Sequence, residues 1–304
     1  MGLLMSRKEE IEIQVKDINI RIIDKTSNSK EFISGSIEEF VSLAKKVIQD
    51  VCLNGYKYIK GLGEVKFILF FEQFQLRKAY TDPKEKKIYL NFAYLDIPRK
   101  INKNSFKKME TSLYKKIYKM MGHEIVHLNQ KVAPYRKRIF SLSKDKYPKS
   151  LEMRQQVGIH FHIMMREGSA MYIEHYSTNS VRTEIEVEAM YQKSKKKAEK
   201  IKRLLNKFLI KIKAGKIAGF TTMRLKDNLR SLVYNGGEYM CERIVRSNSD
   251  ENIDTILKMK DFQFIRKYEN SEIKNGQKPI VSLNSKKGIL DYNQILAELD
   301  ALNR

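Results

Sequence analysis

The chain has 304 residues, and 42% of them are apolar, which is enough to build a hydrophobic core and excludes a fully disordered protein. Lys and Arg number 59 against 36 Asp and Glu, so the formal net charge of +23 gives the surface a strong positive field. The two cysteines exclude a disulfide framework and a cysteine-based zinc site, and without a signal-peptide pattern or an apolar run of about 18 residues we expect a cytoplasmic protein.

The first hundred residues have the pattern of strands around one helix. Residues 11–23 alternate apolar and polar side chains, which predicts a half-buried strand, and residues 40–51 carry one apolar helical face. The β-branched and aromatic segments 65–71 and 87–95 predict two more strands, with turn residues at 81–83 between them. We expect these strands to form a small antiparallel sheet.

After about residue 104 the apolar side chains recur with the 3.6-residue period of helices. The predicted helices span residues 106–131, 149–177, 183–213, 222–232, 236–247, 250–260 and 290–302. The helix at 194–213 is dense in lysine, and its apolar side chains fall on one face. This pattern favours a core-packed helix with a solvated basic face, and the alternative is a membrane-surface or nucleic-acid contact.

The segment MGHEIVHLNQ contains the pattern H-E-x-x-H at His123, Glu124 and His127, within a predicted helix. Four residues on an α-helix place both imidazoles on one face, one turn apart, so that a single metal ion can bind both. Glu124 lies on the flank of that face, where its carboxylate can accept a proton from metal-activated water. The segment therefore predicts a catalytic zinc site.

A catalytic zinc site needs a third protein ligand and keeps a fourth position for water. All five histidines of the chain lie between residues 123 and 175, which concentrates candidate ligands in two predicted helices. In the second of these helices, His160, Glu167 and Glu174 recur every seven residues, so each successive pair is only about 20° apart around the helix. Each is a candidate to bind the metal or to support its ligands.

Two short motifs resemble a known family. HEIVH at 123–127 followed by EGSAMYIE at 167–174 resembles the gluzincin peptidases, in which two motif histidines and a glutamate of a downstream helix hold zinc. The form E-G-x-A-x-Y at 167–172 is similar to that of predicted Zn-dependent proteases of bacteria and archaea. YNGGEYMCERI at 234–244 is similar to a later helix start, Y-x-x-G, in such proteins.

The resemblance implies a peptidase that uses Zn²⁺ and acts on a peptide or protein substrate. His123 and His127 match the two histidine ligands, Glu167 the third ligand and Glu124 the catalytic glutamate, while Gly168 would let a neighbouring helix approach closely. The implied fold is α+β and zincin-like, with a small N-terminal antiparallel sheet followed by a mostly helical region. We expect an N-terminal subdomain at 1–60, the catalytic domain at 61–248 and a helical extension at 249–304.

Several roles and functions stay open at this point. Glu174 or His175 could replace Glu167 as the third ligand, and the group that stabilises the oxyanion could be Tyr234, His160 or Tyr172. One alternative function is a non-proteolytic zinc amidase or hydrolase with the same metal chemistry and a narrower pocket. Another is a basic nucleic-acid-binding protein with an incidental H-E-x-x-H, which the net charge favours. The sequence does not constrain the oligomeric state.

Overall fold

The protein combines α-helices and β-strands, is mostly helical, and has a small sheet near the N-terminus, as the sequence predicts. The structure is a computed structural model and describes residues 10–25, 37–70, 79–95, 103–130, 148–176, 181–216, 219–247, 253–283 and 287–302. Its packing forms two compact units, Met1–Lys131 with Ile173–Asn179 and Val132–Tyr172 with Ser180–Arg304. The division into three parts expected from the sequence stays a prediction.

The first unit contains a five-stranded mixed sheet. Its strands are β1 (Glu10–Val15), β2 (Ile18–Asp24), β3 (Glu64–Phe70), β4 (Ala79–Asp82) and β5 (Lys87–Asn91). They lie in the order β1-β2-β3-β5-β4, so that β1 and β4 form the two edges. The inward-facing side chains of β2, β3 and β5 are almost fully buried, which gives this unit its core.

The prediction of an antiparallel sheet is wrong for the central strands. Strand β2 pairs with β3 in parallel, and β3 pairs with β5 in parallel, while only the outer pairs β1–β2 and β4–β5 are antiparallel. A helix connects β2 to β3, and such a crossover returns the chain to the end of the sheet where β2 began. The chain reverses direction between β3 and β4 and again between β4 and β5, so β5 runs parallel to β3. Strand β4 pairs with the outer edge of β5.

The predicted strand at 11–23 is two strands joined by a tight turn. Val15 pairs with Ile18, so only Lys16 and Asp17 form the loop, and Lys16 has a φ of 55°. Two-residue hairpin loops need a positive φ, which lysine adopts at a cost and which the alternating pattern does not signal. The turn expected near 81–83 joins β4 to β5, and the Asp82 carboxylate accepts the Lys84 amide at 3.0 Å.

The helices of the first unit are α1 (Ile37–Asn54), α2 (Tyr56–Ile59) and α3 (Lys103–Asn129), with a 3-10 turn at Phe92–Tyr94. Helix α3 buries an apolar face that includes Ile117, Met121 and Ile125, and the rings of Phe40 and Phe106 meet edge to face at 4.8 Å. This packing holds α3 against α1 and against the edge strand β4.

The second unit is almost entirely helical. It contains α4 (Pro148–Tyr176), α5 (Glu184–Lys213), α6 (Gly219–Ser247), α7 (Ile253–Lys258), α8 (Asp261–Lys274), β6 (Val281–Ser282), β7 (Leu290–Asp291) and α9 (Tyr292–Ala301). Helix α4 is continuous, and its last four residues, from Ile173 onwards, pack within the first unit. No helix in the described ranges is both long enough and apolar enough to cross a membrane.

Two sequence predictions fail in this unit. The helices expected at 222–232 and 236–247 are one continuous helix, α6, because Gly236 and Gly237 lie inside it and do not start a new one. Helix α8 was not predicted, because its buried face includes the acidic side chains of Glu269 and Glu272 and so lacks a continuous apolar pattern. The Glu272 carboxylate accepts hydrogen bonds from the Tyr239 hydroxyl at 2.8 Å and from Arg243 Nε at 3.0 Å.

Candidate metal centre

The C-terminal half of α3 carries His123, Glu124 and His127. The two imidazole ring centroids are 4.9 Å apart, as expected for side chains one helical turn apart on the same face. His127 is buried and His123 is partly buried, so both rings are largely shielded from water. The spacing read from the sequence is therefore realised on a single helix face.

Both histidines have a partner at Nδ1 that fixes the ring. The Nδ1 atom of His127 donates to the side-chain oxygen of Gln130 at 2.7 Å, and Gln130 is itself buried at the end of α3. His123 Nδ1 lies 3.3 Å from Oε2 of Glu174 on α4. A neutral imidazole that is protonated at Nδ1 carries its lone pair on Nε2, the form in which histidine binds a metal.

The Glu124 carboxylate is held by a residue from the edge strand β4. The Thr81 hydroxyl lies 2.7 Å from Glu124 Oε2 and 2.9 Å from the Glu124 backbone carbonyl. A hydroxyl has one proton to donate, and the carboxylate is the shorter and stronger acceptor. Thr81 therefore restricts the rotation of the buried Glu124 side chain.

Three potential ligand atoms converge on one point. One ligand atom from each of His123, His127 and Glu167 lies within 4.8 Å of the other two. Ligand atoms around a tetrahedral zinc ion are about 3.4 Å apart, so the three side chains could hold one ion if their ligand atoms moved closer together. In the part of the chain that the structure describes, no other group of three or more His, Cys, Asp and Glu side chains has this proximity.

The donor set fits a zinc ion. Two imidazoles and one carboxylate are the protein ligands of a common class of catalytic zinc site, and they leave one position for water. Purely oxygen-binding ions such as Mg²⁺ and Ca²⁺ prefer sites without imidazole. Glu167 lies on α4 two turns before Glu174, so one helix carries both a candidate ligand and the partner of His123.

Glycine allows α4 to approach α6 closely beside Glu167. A Cβ atom added to Gly168 would lie 2.3 Å from the Gly237 carbonyl carbon, and one added to Gly237 would lie 2.4 Å from the Met164 carbonyl oxygen. Both distances are far below van der Waals contact with backbone atoms that cannot rotate away. The close helix approach expected at Gly168 is therefore confirmed, and it explains why α6 needs a glycine in its interior.

The remaining predicted site residues do not join the group of three ligands. Tyr234 is partly buried on α6, one turn before Gly237, and Tyr172 is buried on α4. His160 Nδ1 donates to the Gln156 carbonyl at 2.6 Å, and burial lowers the pKa of His160, which favours its neutral ring. The ring of His175 lies beside Tyr176. The roles assigned to these residues from the sequence stay predictions.

Sequence reasoning missed two polar residues beside the metal-binding face. Gln130 follows His127 by three residues, and that spacing at a helix end could have indicated the contact. Thr81 comes from a strand more than 40 residues away, and no spacing in the sequence points to its contact with Glu124. Glu174, one of the alternative third ligands, lies with its Oε2 atom 3.3 Å from His123 Nδ1.

Comparison with known protein families finds a family model described as "Putative zinc dependent peptidase (DUF5700)", which matches residues 23–277. The matched range includes the whole of α3, α4 and α6, and therefore every residue of the candidate centre. The same comparisons found no similar protein among curated sequences and no similar fold among solved structures.

Proposed function

Because the chain belongs to the family described as "Putative zinc dependent peptidase (DUF5700)", we propose that it hydrolyses peptide bonds in a gluzincin-type site on a zincin-like fold. The observation that supports this most directly is the convergence of ligand atoms from His123, His127 and Glu167 within 4.8 Å. In this proposal these three side chains hold the zinc ion. A zinc ion bound there supplies Lewis acidity toward the scissile carbonyl and toward water.

Glu124 acts as the general base and then as the general acid. The Thr81 hydroxyl donates a hydrogen bond to its Oε2 atom, and in this proposal the carboxylate held in this way takes a proton from the attacking water. The same carboxyl group then passes this proton to the nitrogen of the departing amine. Burial of Glu124 keeps bulk water from competing for the proton during these two transfers.

The groups around the histidines act by orientation. Gln130 and Glu174 each engage one Nδ1 atom, which would leave Nε2 of each ring to bind a zinc ion and make the imidazoles more basic. We assign Tyr234 the stabilisation of the oxyanion, by a hydrogen bond from its hydroxyl, with His160 and Tyr172 as the alternatives. His160 would serve as a neutral donor through Nε2 only if its Nδ1 proton were released from the Gln156 carbonyl.

Removal and return of the metal test the proposal. We expect the purified chain to contain about one zinc ion, to cleave members of a quenched fluorescent peptide library, and to lose cleavage when zinc is chelated. Adding back one equivalent of Zn²⁺ should restore the activity. A chain that holds zinc but cleaves no peptide would instead favour an amidase acting on a small amide, and a chain that binds no zinc would rule out both functions.

Replacing Thr81 with Val should lower kcat by about 10-fold and change KM little, because the Glu124 carboxylate loses the hydroxyl that orients it. The matched control is Thr81→Ser, which keeps the hydroxyl and should retain most of the wild-type kcat. Steady-state kinetics of both variants on one cleaved peptide measure the difference. Equal losses in the two variants would show that the methyl packing of Thr81 matters and not its hydrogen bond.

A further inference from the structure

Helices α5 and α6 form an antiparallel pair. Near the end of α5 and the start of α6 this pair exposes apolar and basic side chains. Lys193 Nζ contacts Asn235 Oδ1 at 3.1 Å, and the rings of Tyr191 and Tyr239 lie 5.6 Å apart, which fixes the register of the two helices. In this register Ile210, near the end of α5, is level with Phe220 at the start of α6. We call the described residues 207–216 and 219–224 the hairpin tip.

The hairpin tip exposes three large apolar side chains. Ile210 is 67% exposed, Phe220 is 61% exposed and Met223 is 54% exposed. Among the described residues, eight large apolar side chains are at least 46% exposed. Three of these eight fall within this short segment. Single exposed apolar side chains are common, but several of them close together are typical of a surface that contacts a membrane or another molecule.

The same hairpin carries much of the positive charge of the protein. Residues 193–230 contain 14 Lys and Arg and two acidic residues, a net charge of +12 within a total of +23. The back of α5 presents Arg203, Lys207 and Lys211 to solvent around Ile210. On α6 the Arg224 guanidinium lies 4.3 Å from the centre of the Phe220 ring, so a cation accompanies the exposed aromatic group.

The composition of the tip separates two kinds of anionic partner. Nucleic-acid phosphates are recognised by charge and by the planar fork of arginine, and they make no use of exposed aliphatic side chains. Eleven of the 14 basic residues of the hairpin are lysines, and the apolar side chains lie at its end. A lipid surface uses both features, because anionic headgroups attract the lysines while the apolar groups insert below the headgroups.

We propose that the α5–α6 hairpin tip docks the protein peripherally on an anionic lipid surface, with Ile210, Phe220 and Met223 entering the headgroup region. The flanking lysines supply the attraction to the anionic headgroups. No membrane-spanning helix is needed for this mode of binding. The inference is independent of the proposed peptidase activity, since it uses side chains of α5 and α6 that take no part in the candidate metal centre.

Sedimentation of the full chain with vesicles tests the proposal. We expect it to bind vesicles of phosphatidylcholine with about 30% phosphatidylserine at 0.1 M salt, and to bind pure phosphatidylcholine at least 10-fold more weakly. Phe220→Ser combined with Met223→Ser should weaken binding to the anionic vesicles by about 10-fold. Lys207→Glu combined with Lys211→Glu should weaken it by at least as much, and higher salt should weaken binding by the wild-type chain.

The matched control is Lys107→Glu combined with Lys108→Glu on α3, which makes the same change in net charge at exposed positions outside the hairpin. This control should bind the anionic vesicles nearly as well as the wild-type chain. Equal losses in the control and the tip variants would overturn the proposal, as would absence of vesicle binding by the wild-type chain. Tip-dependent binding to a DNA or RNA duplex without vesicle binding would also overturn it and identify nucleic acid as the partner. Circular dichroism of each variant confirms that the fold is retained.

Discussion

Replacing Glu124 with Gln is expected to lower kcat by about 10²- to 10⁴-fold while the zinc content stays near one ion per chain. Gln keeps the shape of the side chain and can still contact Thr81, but its amide cannot take a proton from water. His123, His127 and Glu167 are unchanged, so the proposed ligand set remains complete. Elemental analysis and a peptide-cleavage assay on the same preparation measure the two quantities together.

A suitable control is Glu110→Gln, which makes the same chemical change on the same helix. Glu110 lies 14 residues before Glu124, or about 21 Å along the helix axis, and should not affect turnover. Loss of zinc in Glu124→Gln would show that Glu124 is a ligand and not the base. A kcat of the Glu124→Gln variant equal to that of the wild-type chain would contradict the mechanism even if zinc were bound.

The second large effect is expected from Gly237→Ala, which should lower the free energy of unfolding by roughly 3 kcal/mol. The new methyl group would lie 2.4 Å from the Met164 carbonyl oxygen and 3.0 Å from the Gly168 Cα atom, both of which belong to the backbone of α4. The two helices must therefore separate, and α4 carries Glu167 directly beside this contact. Urea unfolding of the purified variant measures the loss.

The neighbouring glycine provides a matched control. A Cβ atom at Gly236 would meet only the Leu232 side chain, at 2.8 and 3.3 Å, and that side chain can move. Ala also favours a helix interior over Gly by about 1 kcal/mol, so Gly236→Ala should be close to neutral or slightly stabilising. If both variants lost the same stability, the close contact of α4 with α6 could not be the cause.

The features predicted correctly from the sequence are those that depend on neighbouring residues. His123 and His127 are four residues apart, so they share a face as soon as this segment is helical. The apolar residues of α3, α4 and α5 recur regularly enough to predict these helices. The pair Glu167–Gly168 similarly combines a carboxylate with a residue that permits close packing. Such patterns do not depend on how distant segments are arranged.

The failures occur where distant segments decide the outcome. Strand direction in the sheet depends on the path of the connections, and the alternating pattern of residues 11–23 is the same for one long strand and for two short ones. Gly236 and Gly237 suggest a helix start at 236 because the packing partner of Gly237, Gly168, lies about 70 residues earlier in the sequence. Thr81 reaches Glu124 only because β4 forms the edge of the sheet next to α3.

The continuity of α4 limits which sequence changes relatives of this protein can accept. Glu167 and Glu174 are seven residues apart, so two full turns bring their side chains back to nearly the same direction. Inserting or deleting one residue between them would rotate one carboxylate by about 100° relative to the other. Glu167 could then no longer lie near the metal-binding histidines while Glu174 contacts His123 Nδ1. Relatives that share this centre should therefore differ in residue type between these positions while keeping their separation constant.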